Sequence, residues 1–266
     1  MREALTPARI REEVRRRIDP AFDWVRPGPL PWAEPARGGA ALRVVLVSTG
    51  GLHLRGDRPF RAGVDVLGDT SFRLVPHGAL PRELALSAPY VDRRFAGRDP
   101  EVVLPARALE RLYREGIAGR PSPLHVSFTA GIVRPLPGLA ESGEQVLELL
   151  RREGVEAAVL LPSCSLCVQT VCLLARTIEA GGTPTVTLSP LPAVSAMIGA
   201  PRTLAVRFPL GAPCGDPGNR ALHRAVLHEA LALLGTAGGP GTTVSSRHSW
   251  RRSPVPPRSC SSQRAR

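Results

Sequence analysis

The chain has 266 residues, 43% of them hydrophobic, which is enough for one substantial core with appendages. Its formal charge is +12 and all 35 basic residues are arginine, so a lysine Schiff base and a P-loop lysine are both excluded. No apolar h-region follows Met1 and no apolar run approaches the ~18 residues of a membrane span, which predicts a cytoplasmic protein without a membrane partner.

Residues 1–40 read as an N-terminal arm. Thr6 before Pro7 is placed to cap a short helix with Ile10, Val14 and Ile18 on one face. Glu12 and Glu13 precede Arg16 and Arg17 by four positions, a favourable helical spacing. Arg26-Pro27-Gly28-Pro29-Leu30-Pro31-Trp32 then reads as an extended linker.

An α/β domain is expected over residues 41–235. Apolar runs at 42–48, 124–128, 157–161, 185–188 and 203–208 predict buried strands. Helical patterns lie between several of them. One spans 105–115 with Leu109, Leu112 and Tyr113, and ends at Gly116. Another opens at Ser142-Gly143-Glu144-Gln145, which has the form of a capping box. A third carries Val168, Val171, Cys172, Ala175 and Ile178 on one face, and the last carries Leu222, Val226, Ala230 and Leu233. The alternation predicts an α/β fold: a mostly parallel sheet with helices on both faces. Residues 236–266 are rich in Gly, Ser, Arg and Pro and lack apolar periodicity, so a disordered C-terminal tail is expected. Arginines 247, 251, 252, 258, 264 and 266 fall there, with no acid after Ala237. Half of the excess charge of +12 therefore sits in the tail, and nucleic acid is not an expected partner.

In open α/β sheets the site lies beyond the C-terminal ends of the strands. The residues just after the predicted strands are Ser48-Thr49-Gly50-Gly51-Leu52-His53, Thr129-Ala130-Gly131, Pro162-Ser163-Cys164-Ser165-Leu166-Cys167, Ser189-Pro190, and Pro209 to Gly215 with Cys214 among them. Cys164 stands where a strand turns into a helix, and free amides and the helix dipole there favour a thiolate. Cys167, about one helical turn on, is placed to resolve an oxidised Cys164 as a disulfide. A zinc half-site would need about four ligands, and no second CxxC or close HxxxH occurs; two inert core thiols are the other alternative. No metal site is expected. The hydroxyls and open amides of Ser48, Thr49, Gly50 and Gly51 are candidates to hold a substrate carboxylate, and His53 is a candidate acid, base or hydrogen-bonding group. A plain turn and a structural histidine are the competing readings. Cys172 reads as core, Cys214 as a loop thiol that could meet the pair, and Asp69 and Asp99 as turn or cap residues.

Val47 to His53, Gly68-Asp69-Thr70-Ser71-Phe72-Arg73, Arg98-Asp99-Pro100-Glu101-Val102-Val103-Leu104-Pro105, Cys164 to Thr170 and Phe208-Pro209-Leu210-Gly211 occur in this order. Together they resemble the selenoprotein B family of glycine/sarcosine/betaine/D-proline reductases, and most of all its short D-proline reductase form, over roughly residues 40 to 235. The resemblance implies an oxidoreductase. In that family the position matching Cys164 is often selenocysteine, which attacks the substrate α-carbon and helps break the C–N bond, and a neighbouring cysteine regenerates it. This chain would be a cysteine-containing, non-selenoprotein member, with Cys167 as the resolving thiol. The resemblance further implies an amine or amino-acid-like substrate, no bound cofactor, a thioredoxin-like or other thiol reductant, and a partner reductase subunit on which any pyruvoyl group would reside. Many relatives carry His where this chain has Ala88, Val168 and Ala212. That difference keeps two alternatives open: a general thiol-disulfide oxidoreductase, and a degenerate ligand-binding or scaffold subunit.

Overall fold

The computed structural model describes residues 5–36, 41–61, 67–88 and 91–250. Helix α1 (Pro7–Arg17) is capped by Thr6, whose hydroxyl accepts from the Arg9 N–H, and it buries Ile10 and Val14 as its spacing predicts. Strand β1 (Val44–Ser48) follows, then β2 (Leu52–Leu54), β3 (Phe72–Pro76), β4 (Leu84–Leu86), the short helix α2 (Arg93–Ala96) and α3 (Ala106–Arg114). Next come β5 (Leu124–Phe128), α4 (Gly138–Arg152), β6 (Ala157–Leu161), α5 (Ser165–Ala180), β7 (Thr185–Ser189) and α6 (Pro192–Ile198). Strand β8 (Arg202–Arg207), helix α7 (Arg220–Thr236) and β9 (Thr242–Ser249) complete the order.

The main sheet runs β3-β5-β1-β6-β7-β8-β9, parallel throughout except for β3, which is antiparallel to β5. Every residue of β1, β6 and β7 is buried, as expected of parallel strands covered on both faces. The period of two in β1 divides its side chains between two cores. Val45 and Val47 pack with α1, α4, α5 and α6, while Val44 and Leu46 pack with α3 and α7. The mostly parallel α/β fold with helices on both faces is therefore the observed one.

Three local expectations change. Ser142 lies inside α4 instead of capping it, and its hydroxyl donates to the Thr70 carbonyl. Strands β2 and β4 form a separate antiparallel pair that the sequence did not predict. Thr242–Ser249, in the segment expected to be without structure, pairs in parallel with β8 as an edge strand. Its pattern is almost wholly polar, so backbone pairing, which composition does not report, places it there. Cys260 and the rest of 251–266 lie outside the described residues.

Candidate active site at the sheet switch point

After β1 the chain crosses to β5 on one side, and then to β6 on the other. The crevice at the C-terminal ends of β1 and β6 is thus the topological switch point, where open α/β sheets bind ligands. The loop 48–51 leaves β1 there, and Cys164 follows β6.

Cys164 is the N-cap of α5. Its backbone is extended, and its sulfur accepts from the Cys167 N–H at 3.1 Å. The Cys164 and Cys167 sulfurs lie 2.6 Å apart as free thiols. Three strand ends converge on them. Thr49, after β1, has its carbonyl 4.0 Å from the Cys167 sulfur. Its hydroxyl donates to the Leu161 carbonyl and accepts from the Ser163 N–H, which ties the β1 and β6 ends together. Gly131, after β5, contributes a backbone N–H whose influence lowers both thiols.

The two thiols share one easily lost proton. Burial pushes Cys167 up, but the polar groups around it, the Cys164 sulfur first, bring it down to about 7. Cys164 is held well above an ordinary thiol, first by burial and then by the neighbouring Cys167 charge. Within the coupled pair Cys167 is thus lowered and Cys164 raised, so the two together favour the loss of a single proton. Access runs the other way. Cys164 is 7% exposed and lines a cavity of about 1370 Å³, whereas Cys167 is 1% exposed and does not reach it.

The loop 48–51 sits behind the pair. Thr49 and Gly51 donate their N–H groups to the Leu161 and Phe128 carbonyls, and Gly50 donates to the Ser48 hydroxyl. A side chain at Gly51 would meet Ala88 and the Ser87 carbonyl within 3 Å, and its φ of +69° also favours glycine. His53 is buried on β2. Its Nδ1 lies 2.7 Å from the Leu54 carbonyl and its Nε2 lies 2.8 Å from the Ser87 hydroxyl, so both ring nitrogens are engaged. Neither the loop's glycines nor His53 lines the cavity at Cys164.

Cys214 packs in the core beneath α3 and α7, opposite the pair's core, with its thiol 3.6 Å from the His223 carbonyl; the structure does not bring it to Cys164. Cys172 is core as expected, and burial lifts it to about 12. Ala88, Val168 and Ala212 are buried and apolar, and supply no acid or base.

Sequence reasoning missed the cavity's walls. Arg98 follows α2, Arg207 ends β8, and Trp250 follows β9 with its ring edge-on to Phe95 at 5.4 Å. Arg207 had a signal, because it closes a predicted strand at the site edge. Trp250 had none, because it belongs to the segment read as tail.

The chain is 28% identical over 210 residues to the D-proline reductase subunit gamma of Acetoanaerobium sticklandii, covering 79% of this chain and 85% of that subunit. It is 27% identical over 235 residues to the sarcosine reductase complex component B subunit beta of Peptoclostridium acidaminophilum. It is 26% identical over 235 residues to the glycine reductase complex component B subunit gamma of Symbiobacterium thermophilum. The chain is homologous to these reductase-complex subunits. In the latter two cases 82% of this chain is matched, and it spans half the length of the relative. No protein-family model and no solved structure matches the chain. Among the described residues, no helix is long and apolar enough to cross a membrane.

Proposed function

We propose that this chain is a cysteine-dependent subunit of a reductase complex, with Cys164 as attacking sulfur and Cys167 as resolving sulfur. The observation that carries this reading is the sulfur pair itself: 2.6 Å apart at the switch point, with only Cys164 facing a cavity. Similarity to subunits of D-proline, sarcosine and glycine reductases supports an amine or amino-acid-like substrate class; in this proposal any pyruvoyl group would reside on a partner subunit.

The chemistry balances as a two-electron reduction. The Cys167 thiolate takes the Cys164 proton, and the Cys164 sulfur attacks the carbon next to nitrogen. An S–C bond forms as the C–N bond breaks, and the amine leaves with a proton. Cys167, deprotonated again, then attacks the Cys164 sulfur. The S–C bond breaks, the carbon takes a proton, and a Cys164–Cys167 disulfide remains. A thioredoxin-like or other dithiol reductant restores the pair. The 48–51 loop contributes through Thr49, which steadies the pair from behind, and His53 braces that loop through Ser87. Substrate carboxylate contact by the loop would need its N–H groups to leave their present partners.

The test is turnover of D-proline, sarcosine and glycine with a dithiol reductant and the cognate partner subunits. Cys164→Ser should abolish it. Cys167→Ser should stop it after one event, with the adduct retained on Cys164. Full turnover by Cys164→Ser would remove this mechanism.

A further inference from the structure

The cavity at Cys164 is larger than a small substrate requires. Its volume of about 1370 Å³ exceeds the ~300–1,000 Å³ of ordinary small-molecule pockets. Its lining is also unbalanced in charge. Arg93, Arg94, Arg98 and Arg207 face it against a single carboxylate, Asp92. Two of those arginines are already engaged: Arg94 grips Asp92 through Nε and Nη2, and Arg93 donates to the Leu86 carbonyl at 2.9 Å. Arg98 and Arg207 are exposed, and among the described residues neither guanidinium has a hydrogen-bond or ion-pair partner. Phe95, Trp250 and Phe208 share the wall with the arginines, the first two in edge-on contact. A wall rich in aromatics and arginine has the composition of a protein-recognition surface.

We infer that this cavity receives an acidic peptide segment of a partner protein, whose carboxylates pair with Arg98 and Arg207 while its sulfur meets Cys164. The inference rests on the reading of Cys164 as the reacting sulfur and adds the chemistry of its partner. Charge complementarity decides the occupant. A basic segment would meet four arginines, and a neutral one would leave Arg98 and Arg207 without partners in a partly desolvated contact. The volume of the cavity admits a main chain with its side chains, and Phe95, Phe208 and Trp250 offer them apolar surface.

The test uses the full chain and three peptides. Each has one central cysteine activated as its thionitrobenzoate mixed disulfide, flanked by glutamate, glutamine or arginine. The Cys164 thiolate attacks the peptide sulfur and releases the thionitrobenzoate anion, which is read by its absorbance. Cys167 then displaces the peptide thiol and leaves the Cys164–Cys167 disulfide. The glutamate peptide should react about tenfold faster than the glutamine peptide at low salt, and the arginine peptide slowest. Raising the salt should compress the series, and the Arg98→Gln, Arg207→Gln double variant should bring the glutamate and glutamine rates together. Equal rates for all three peptides on the unaltered chain would overturn the acidic-partner inference while leaving the redox pair intact. Persistence of the full preference in the double variant would overturn the assignment to Arg98 and Arg207. No reaction with any peptide would overturn the reading of Cys164 itself.

Discussion

Helix α5 has two ends with opposite physical characters. At its N-terminus Cys164 caps the helix beside a cavity, with its sulfur 2.6 Å from that of Cys167. Near its C-terminus Glu179 is fixed on every side. It accepts from the Thr185 N–H and hydroxyl, from the Ala33 N–H and from Arg202, all in the interior. Arg202 is fully buried, lies over the Trp32 ring at 3.6 Å and donates to the Ala33 carbonyl. Burial pushes Glu179 up and Arg202 down, and each opposes that push on the other. One end of the helix thus sets two adjacent thiols at an opening. The other uses a fixed pair of charges to bind the N-terminal arm to the sheet.

Breaking the fixed end should have the largest effect on the fold. Arg202→Ala leaves the Glu179 carboxylate buried with a lost partner, and unfolding free energy should fall by about 3–5 kcal/mol. Denaturant melts would show the loss, while labelling of Cys164 in the remaining folded protein should keep its pH dependence. A collapse of the cysteine pH profile in this variant would mean that the two ends are not separable.

At the reactive end, the expected pH behaviour follows from the pair. A lowered thiol pKa means that the thiolate accumulates as pH rises through that value. The rate of Cys164 labelling should therefore climb with a midpoint of about 7 and level off above it. In Cys167→Ser the lowered thiol is gone while Cys164 keeps its burial penalty, so the midpoint should move above the ordinary thiol value of about 8.5. An unchanged midpoint would show that Cys167 does not hold the charge.

Thr49→Val tests the brace between the strand ends. It removes the donor to Leu161 and the acceptor for the Ser163 N–H, and should cost about 1–3 kcal/mol. It should also raise the labelling midpoint, since Thr49 is one of the groups lowering Cys167. The smallest effect belongs to the other cysteines. Cys172 and Cys214, both buried and both pushed up, should take no label in the folded chain at neutral pH, as peptide mapping would check.

What the sequence made legible was whatever depends on local pattern. The five predicted segments became β1, β5, β6, β7 and β8, because strands covered on both faces are short, largely apolar and β-branched. The placement of Cys164 at a strand-to-helix turn followed from those runs. Strands β3 and β9 stayed hidden because edge strands bury few side chains, and their pairing lies in the backbone. The division of labour between the sulfurs was hidden for a related reason. Spacing brings Cys167 within reach of Cys164, but the groups that surround its sulfur come from three strand ends, after β1, β5 and β6. The arginine and aromatic walls come from chain segments more than a hundred residues apart, which no local pattern joins.

The central claim is that Cys164 and Cys167 are one two-electron redox unit. Oxidation of the reduced chain with one equivalent of a disulfide oxidant, followed by alkylation and peptide mapping, tests it most directly. The account predicts a single disulfide joining Cys164 to Cys167, a mass loss of two hydrogens, and Cys172 and Cys214 recovered as free thiols. Recovery of both Cys164 and Cys167 as free thiols after the oxidant is consumed would contradict it.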